Sequence, residues 1–92
     1  MLVSMHPRFP CPCCRFPTLP DEPPGTYAVC PVCDWEDDGV QFREPDYAGG
    51  ANNVSLNVAR QNFAAFGASD ESARPRVRAP TADEIAHRAS GA

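Results

Sequence analysis

Two stretches decide how this chain folds: Cys11-Pro12-Cys13-Cys14, and Cys30-Pro31-Val32-Cys33-Asp34-Trp35-Glu36-Asp37-Asp38. In each, two cysteines flank a two-residue gap, and the proline after the first pre-sets φ for a tight turn. Such a turn can place both sulfurs on one ion, while its backbone N–H groups point at the sulfurs and offset their charge. The pairs are separated by residues 15–29, a spacing typical of double C-x2-C zinc sites. Zinc prefers four tetrahedral ligands and suits thiolate sulfur. Cys11, Cys14, Cys30 and Cys33 are therefore the expected ligands of one Zn2+. Iron, which four-thiolate turns also hold, is the less expected metal.

Working outward, Phe16–Pro20 reads as extended, Pro23-Pro24-Gly25 as a turn and Thr26–Val29 as a strand. The expectation is a hairpin closed by that turn, bringing the two cysteine pairs together in a zinc-ribbon-like unit. Val40-Gln41-Phe42 reads as a further short strand, and 46–53 as a loop. Ser55 offers an N-cap; Leu56, Ala59, Phe63 and Phe66 share one helical face, and Gly67 supplies a stop. This predicts a helix over about 56–66 packed on the strands. Residues 68–80, with Pro75 and Pro80, read as a tether. Thr81 and Glu84 form a capping box opening a short helix near 82–90. The expected architecture is a small α+β metal-stapled domain over 6–67, with a proline-containing arm and short helix over 68–92.

The composition agrees with that need for a staple. With 92 residues and eleven prolines the chain makes at most one domain with a marginal core, and small chains of this kind add disulfides or a metal. Five cysteines cannot all pair within the chain. Met1–Arg8 does not read as an export leader and no segment reads as a membrane span, so the expected compartment is the reducing cytoplasm, where thiols bind metals. The net charge of −4 is uneven: residues 21–47 carry eight acids against Arg43 alone. An acidic surround disfavours nucleic acid as a partner, despite the basic run Arg74, Arg76 and Arg78.

Four cysteines close the metal's coordination shell, whereas catalytic zinc keeps an open position, so an enzyme is not the expected reading. Cys13, the odd thiol, reads as a spectator beside the site or an alternative ligand; its sharper reading is a redox-active thiol. His6 reads as a solvated terminal side chain. Glu36, Asp37 and Asp38 read as a solvated acidic face, and Trp35 as a lid over the cluster.

The two cysteine motifs, Trp35-Glu36-Asp37-Asp38, Gly49-Gly50-Ala51-Asn52 and Ser55-Leu56-Asn57-Val58-Ala59-Arg60-Gln61-Asn62-Phe63 together resemble the bacterial cysteine-rich CPCC family. That resemblance implies zinc binding and a bacterial origin and names no activity. It also picks out Trp35, Glu36, Asp37, Asp38, Asn57, Arg60 and Asn62 as a surface for a protein partner, or as internal contacts such as Arg60 with Asp37 or Asp38. The expected function is a structural zinc module that contacts another protein. One version is an immunity-type antidote, its acidic residues covering a basic toxin.

Overall fold

The computed structural model describes residues 8–90; His6 lies outside them. Each cysteine turn is the tip of its own small hairpin. In the first, β1 (Phe9–Pro10) pairs antiparallel with β2 (Pro17–Leu19), Phe9 opposite Leu19 and Pro10 opposite Pro17. In the second, residues 27–30 pair with 35–37 through Tyr27 N to Asp37 O, Asp37 N to Ala28 O and Cys30 N to Trp35 O, each 2.9 Å. Thr26–Val29 is thus partnered by the acidic segment, not by Phe16–Pro20 across Pro23-Pro24-Gly25. The reason is local: a cysteine turn that reverses the chain lays its own flanks side by side, a shorter loop to close than the one containing the prolines.

Val40-Gln41-Phe42 is helical instead of extended, inside α1 (Gly39–Arg43). Its alternating composition is overridden by Asp38, whose Oδ1 accepts from the N–H groups of Val40 (2.8 Å) and Gln41 (3.1 Å) and starts a helical turn. The longer helix α2 (Leu56–Phe66) follows its sequence pattern: Ser55 Oγ accepts from Val58 N at 3.2 Å, and Gly67 ends the helix at φ 82°. Leu56 and Ala59 are buried, and Phe63 meets Phe16 edge to face with centroids 6.1 Å apart. Phe66, expected on the same face, is half-buried under the Arg74 guanidinium, 5.1 Å from its ring centre.

The core joins the four cysteines to Phe16, Leu19, Val32, Trp35, Leu56 and Ala59. Helix α2 therefore closes one side of the cysteine hairpins. The segment read as a tether is ordered: a 3-10 helix spans Glu71–Arg76, capped by Asp70, with Ala68, Ser69 and Ala73 buried. Helix α3 (Ala82–Ala86) carries the expected capping box, but stops before Ala89. Beyond it the chain turns back: Arg88 Nε donates to the Cys14 carbonyl and Ala89 N to the Arg15 carbonyl, at 3.0 and 2.9 Å. Arg78 N donates to the Pro31 carbonyl at 3.2 Å, so the arm touches both cysteine turns.

Candidate metal centre

The two turns are built alike. In the first, Arg15 N donates to Cys11 O (2.8 Å) and Cys11 N to Phe16 O (3.0 Å); in the second, Asp34 N donates to Cys30 O (2.7 Å) and Cys30 N to Trp35 O (2.9 Å). The residue after each pair sits in the left-handed region, Arg15 at φ 68° and Asp34 at φ 71°. That conformation costs about 1–2 kcal/mol for a residue other than glycine. Both turns adopt it because it swings the chain out of the turn and leaves the two sulfurs on the same side.

Facing each other, the turns bring Cys11, Cys14, Cys30 and Cys33 Sγ within 4.8 Å of one another, all buried. Cys11 and Cys33 sulfurs are 3.6 Å apart, Cys14 and Cys30 sulfurs 3.7 Å. A disulfide would need about 2.05 Å. A tetrahedron with metal–sulfur bonds of about 2.3 Å has edges of about 3.8 Å. The four residues fit a tetrahedral dication, and all five cysteines are unbridged.

Four sulfurs this close cannot all ionise unaided. Cys30 is drawn far below the ordinary thiol range by its contacts with Cys11, Cys14 and Cys33, while Cys11 is pushed well above it, first by Cys14 and Cys30. The thiols thus hold protons that a bound dication would displace. A contact missed in the sequence supports this centre: Thr18 Oγ1 lies 2.9 Å from Cys30 Sγ and can donate to it. Its position on β2, opposite the second turn, gives no signal in the sequence.

Cys13 is 2% exposed and lies outside the tetrahedron. The acidic segment departs from its expected role as a solvated face. Trp35 is fully buried among the cysteines. Asp37 is also fully buried, its Oδ2 accepting from Thr26 N (2.9 Å) and Thr26 Oγ1 (2.7 Å). Asp38 Oδ1 caps α1, and its Oδ2 accepts from Ala51 N at 2.9 Å; these backbone donors, Ala51 first, hold its carboxyl below the usual range. Their carboxylates are turned inward onto backbone N–H groups that no carbonyl reaches within a helix or strand. Glu36 is half-buried, its backbone clasped on both sides by the Asn52 amide at 2.8 Å.

Gln41, unremarked in the sequence, ties this region together. Fully buried, it donates to the carbonyls of Tyr47 and Val54, both at 3.0 Å, and accepts from Asn52 N (3.1 Å) and Nδ2 (2.9 Å). A side chain at Gly50 would put Cβ 2.6 Å from Asp38 Oδ2 and 2.7 Å from Gln41 Cγ, so the loop needs glycine there. Arg60 pairs with neither Asp37 nor Asp38; its Nε donates to the Pro12 carbonyl at 3.0 Å, steadying the first cysteine turn from α2. Both aspartates are buried away from it, Asp38 on backbone N–H groups and Asp37 against Thr26. Asn57 donates to Asp46 (2.8 Å) and Asn62 to the Ser69 carbonyl (2.9 Å). Of the seven residues, Asp37, Asp38, Asn57, Arg60 and Asn62 spend side-chain groups on internal hydrogen bonds. The basic run is spoken for as well: Arg74 pairs with Glu71, Arg76 with Asp34 and Arg78 with Glu84, at 2.9, 2.8 and 2.9 Å.

A profile of the cysteine-rich CPCC proteins matches residues 9–84, most of the chain. The chain belongs to the cysteine-rich CPCC family. The match includes both cysteine turns, α2 and the 3-10 helix, so it runs well into the proline-containing arm. No curated protein matches this CPCC chain. Among the described residues, no helix is long and apolar enough to cross a membrane.

Proposed function

We propose that this CPCC protein is a zinc-binding module in which one Zn2+, held by Cys11, Cys14, Cys30 and Cys33, locks two cysteine hairpins into a zinc-ribbon-like unit that works by contacting another protein. The observation that carries the metal reading is the convergence of four buried sulfurs within 4.8 Å of one another, two of their separations being close to the edge of a tetrahedral four-thiolate site. The ion would supply cross-linking charge, and the chain's own residues supply the cradle: Thr18 Oγ1 is placed to donate to a Cys30 thiolate, and α2 and the arm pin the turns. With four protein ligands the shell leaves no open position for substrate, which favours a structural role over an enzymatic one. Thiolate ligation suits a reducing compartment, and we assign the cytoplasm.

For the partner, exposed apolar residues argue better than charge. Tyr27, Val29 and Tyr47 stand in solvent, at 64%, 51% and 45% exposure. Aromatic side chains are favoured at interfaces. An antidote covering a basic toxin would use an acidic face beside Trp35, and there Asp37 and Asp38 face inward, leaving the exposed acids Asp21, Glu22, Glu44 and Asp46 away from that run in sequence. A redox role for Cys13 needs access that its burial denies.

Metal analysis of native protein, with each cysteine replaced in turn by serine, tests the reading. One zinc per chain is expected, lost when Cys11, Cys14, Cys30 or Cys33 is replaced and retained in Cys13→Ser. Loss of the ion from Cys13→Ser, or iron in place of zinc, would overturn the proposed centre.

A further inference from the structure

Beside the first cysteine turn lies a cleft of about 280 Å3 whose walls include Phe9, Pro23 and Phe42 together with Arg15, Arg60 and Glu22. Four other arginines are engaged: Arg74, Arg76 and Arg78 pair with carboxylates, and Arg88 lies over the Phe16 ring, 4.5 Å from its centre. Arg15 and Arg60 are set apart by sharing one cleft. Arg60 spends Nε on the Pro12 carbonyl, which fixes its plane, and its terminal nitrogens have no hydrogen-bond partner among the described residues. Arg15 projects from the turn itself and forms no ion pair among the described residues. Glu22 shares the cleft but reaches neither of them within ion-pair distance. Two arginines thus line one largely apolar opening, and neither pairs with the carboxylate that shares it.

Placing like charges together costs energy unless something of opposite sign joins them. Guanidinium forks match the paired oxygens of carboxylates and phosphates, and apolar lining with a few fixed polar groups is the usual make-up of a ligand site. We propose that this cleft binds an oxyanion carried on a flat apolar body, an aryl phosphate or aryl carboxylate, with the acid group between Arg15 and Arg60 and the ring against Phe9, Pro23 and Phe42. The assignment goes beyond the metal reading and holds whichever metal the cysteines take. The competing role for these arginines is to offset the negative charge of a four-thiolate centre behind the Cys11–Pro12 wall.

Titration of the metal-loaded protein by NMR, with phenyl phosphate, benzoate and inorganic phosphate as probes, separates the two. Phenyl phosphate should saturate at one site per chain and bind more tightly than inorganic phosphate, showing that the ring contributes. Benzoate in place of phenyl phosphate shows which acid group the arginines prefer; shifts at the same residues support the cleft, and shifts elsewhere count against it. Arg15→Gly, which suits a backbone at φ 68°, should weaken phenyl phosphate about tenfold or more while leaving metal content intact. Arg74→Ala makes the same change of net charge at a distance and should leave binding unaltered. The idea fails if phenyl phosphate does not saturate at low salt, or if both variants weaken it equally. It fails too if Arg15→Gly lowers metal affinity and spares phenyl phosphate, the result that would assign the arginines to the metal. Metal content, read independently in every variant, keeps failure of the cleft distinct from failure of the zinc centre.

Discussion

Replacing Thr18 by valine removes one hydroxyl from the metal centre and almost nothing else. Thr18 is 5% exposed on β2, with Oγ1 2.9 Å from Cys30 Sγ. Valine has nearly the same shape and suits a strand, so the hairpin should survive. A hydrogen bond to a charged acceptor contributes about 1.5–3 kcal/mol. At about 1.4 kcal/mol per factor of ten, metal affinity should fall between tenfold and a hundredfold. The sign with pH follows from the same contact. A donor to the thiolate favours its ionised form, so losing it raises the proton affinity of Cys30. Protons compete with the metal, so retention is complete at higher pH and is lost as pH falls; in Thr18→Val that loss should begin at a higher pH. Competition with a chromogenic chelator across a pH series measures both quantities. Thr26→Val, which removes a hydroxyl from Asp37 instead of sulfur, is the control and should leave metal affinity unchanged. Affinity within twofold of the parent and an unmoved release midpoint would refute the role given to Thr18.

Two further outcomes test the scaffold. Gly50→Ala should destabilise the metal-loaded protein by about 1–3 kcal/mol, the usual range for overpacking, because its Cβ would meet Asp38 and Gln41 at 2.6 and 2.7 Å; urea unfolding at fixed free metal reads this, and an unchanged midpoint would mean the loop yields freely. Arg88→Ala should cost about 1–2 kcal/mol by removing the bond to the Cys14 carbonyl and the stacking over Phe16. It should also render residues 77–90 sensitive to limited proteolysis, whereas a protease-resistant arm would show that other contacts suffice.

Those features that depend on neighbours in sequence were legible before any coordinates. The cysteine turns, the Ser55 cap, the Gly67 stop and the Thr81–Glu84 box each need only residues a few positions apart. Features decided by distant partners were not. Val40-Gln41-Phe42 has strand-like alternation, yet one aspartate before it and a loop folding back onto Gln41 made it helical. The pairing of Thr26–Val29 depended on which loop closes first, a choice that composition does not record. Asp37 and Asp38 looked solvated because acidic runs usually are, and only the backbone N–H groups of Thr26 and Ala51, distant in sequence, explain their inward turn. The family resemblance marked Arg60 and Asn62 as worth attention but could not say that they hold backbone carbonyls.

The C-terminal arm touches backbone carbonyls on both sides of the molecule, Pro31 in one half and Cys14 and Arg15 in the other. Its seat therefore exists only while the halves keep their mutual distance. A change that let them drift apart would free the tail at once, without any contact between tail and ion. The last stretch of chain acts as a gauge of the gap, and a label placed there would sense the state of the sulfur cluster from outside.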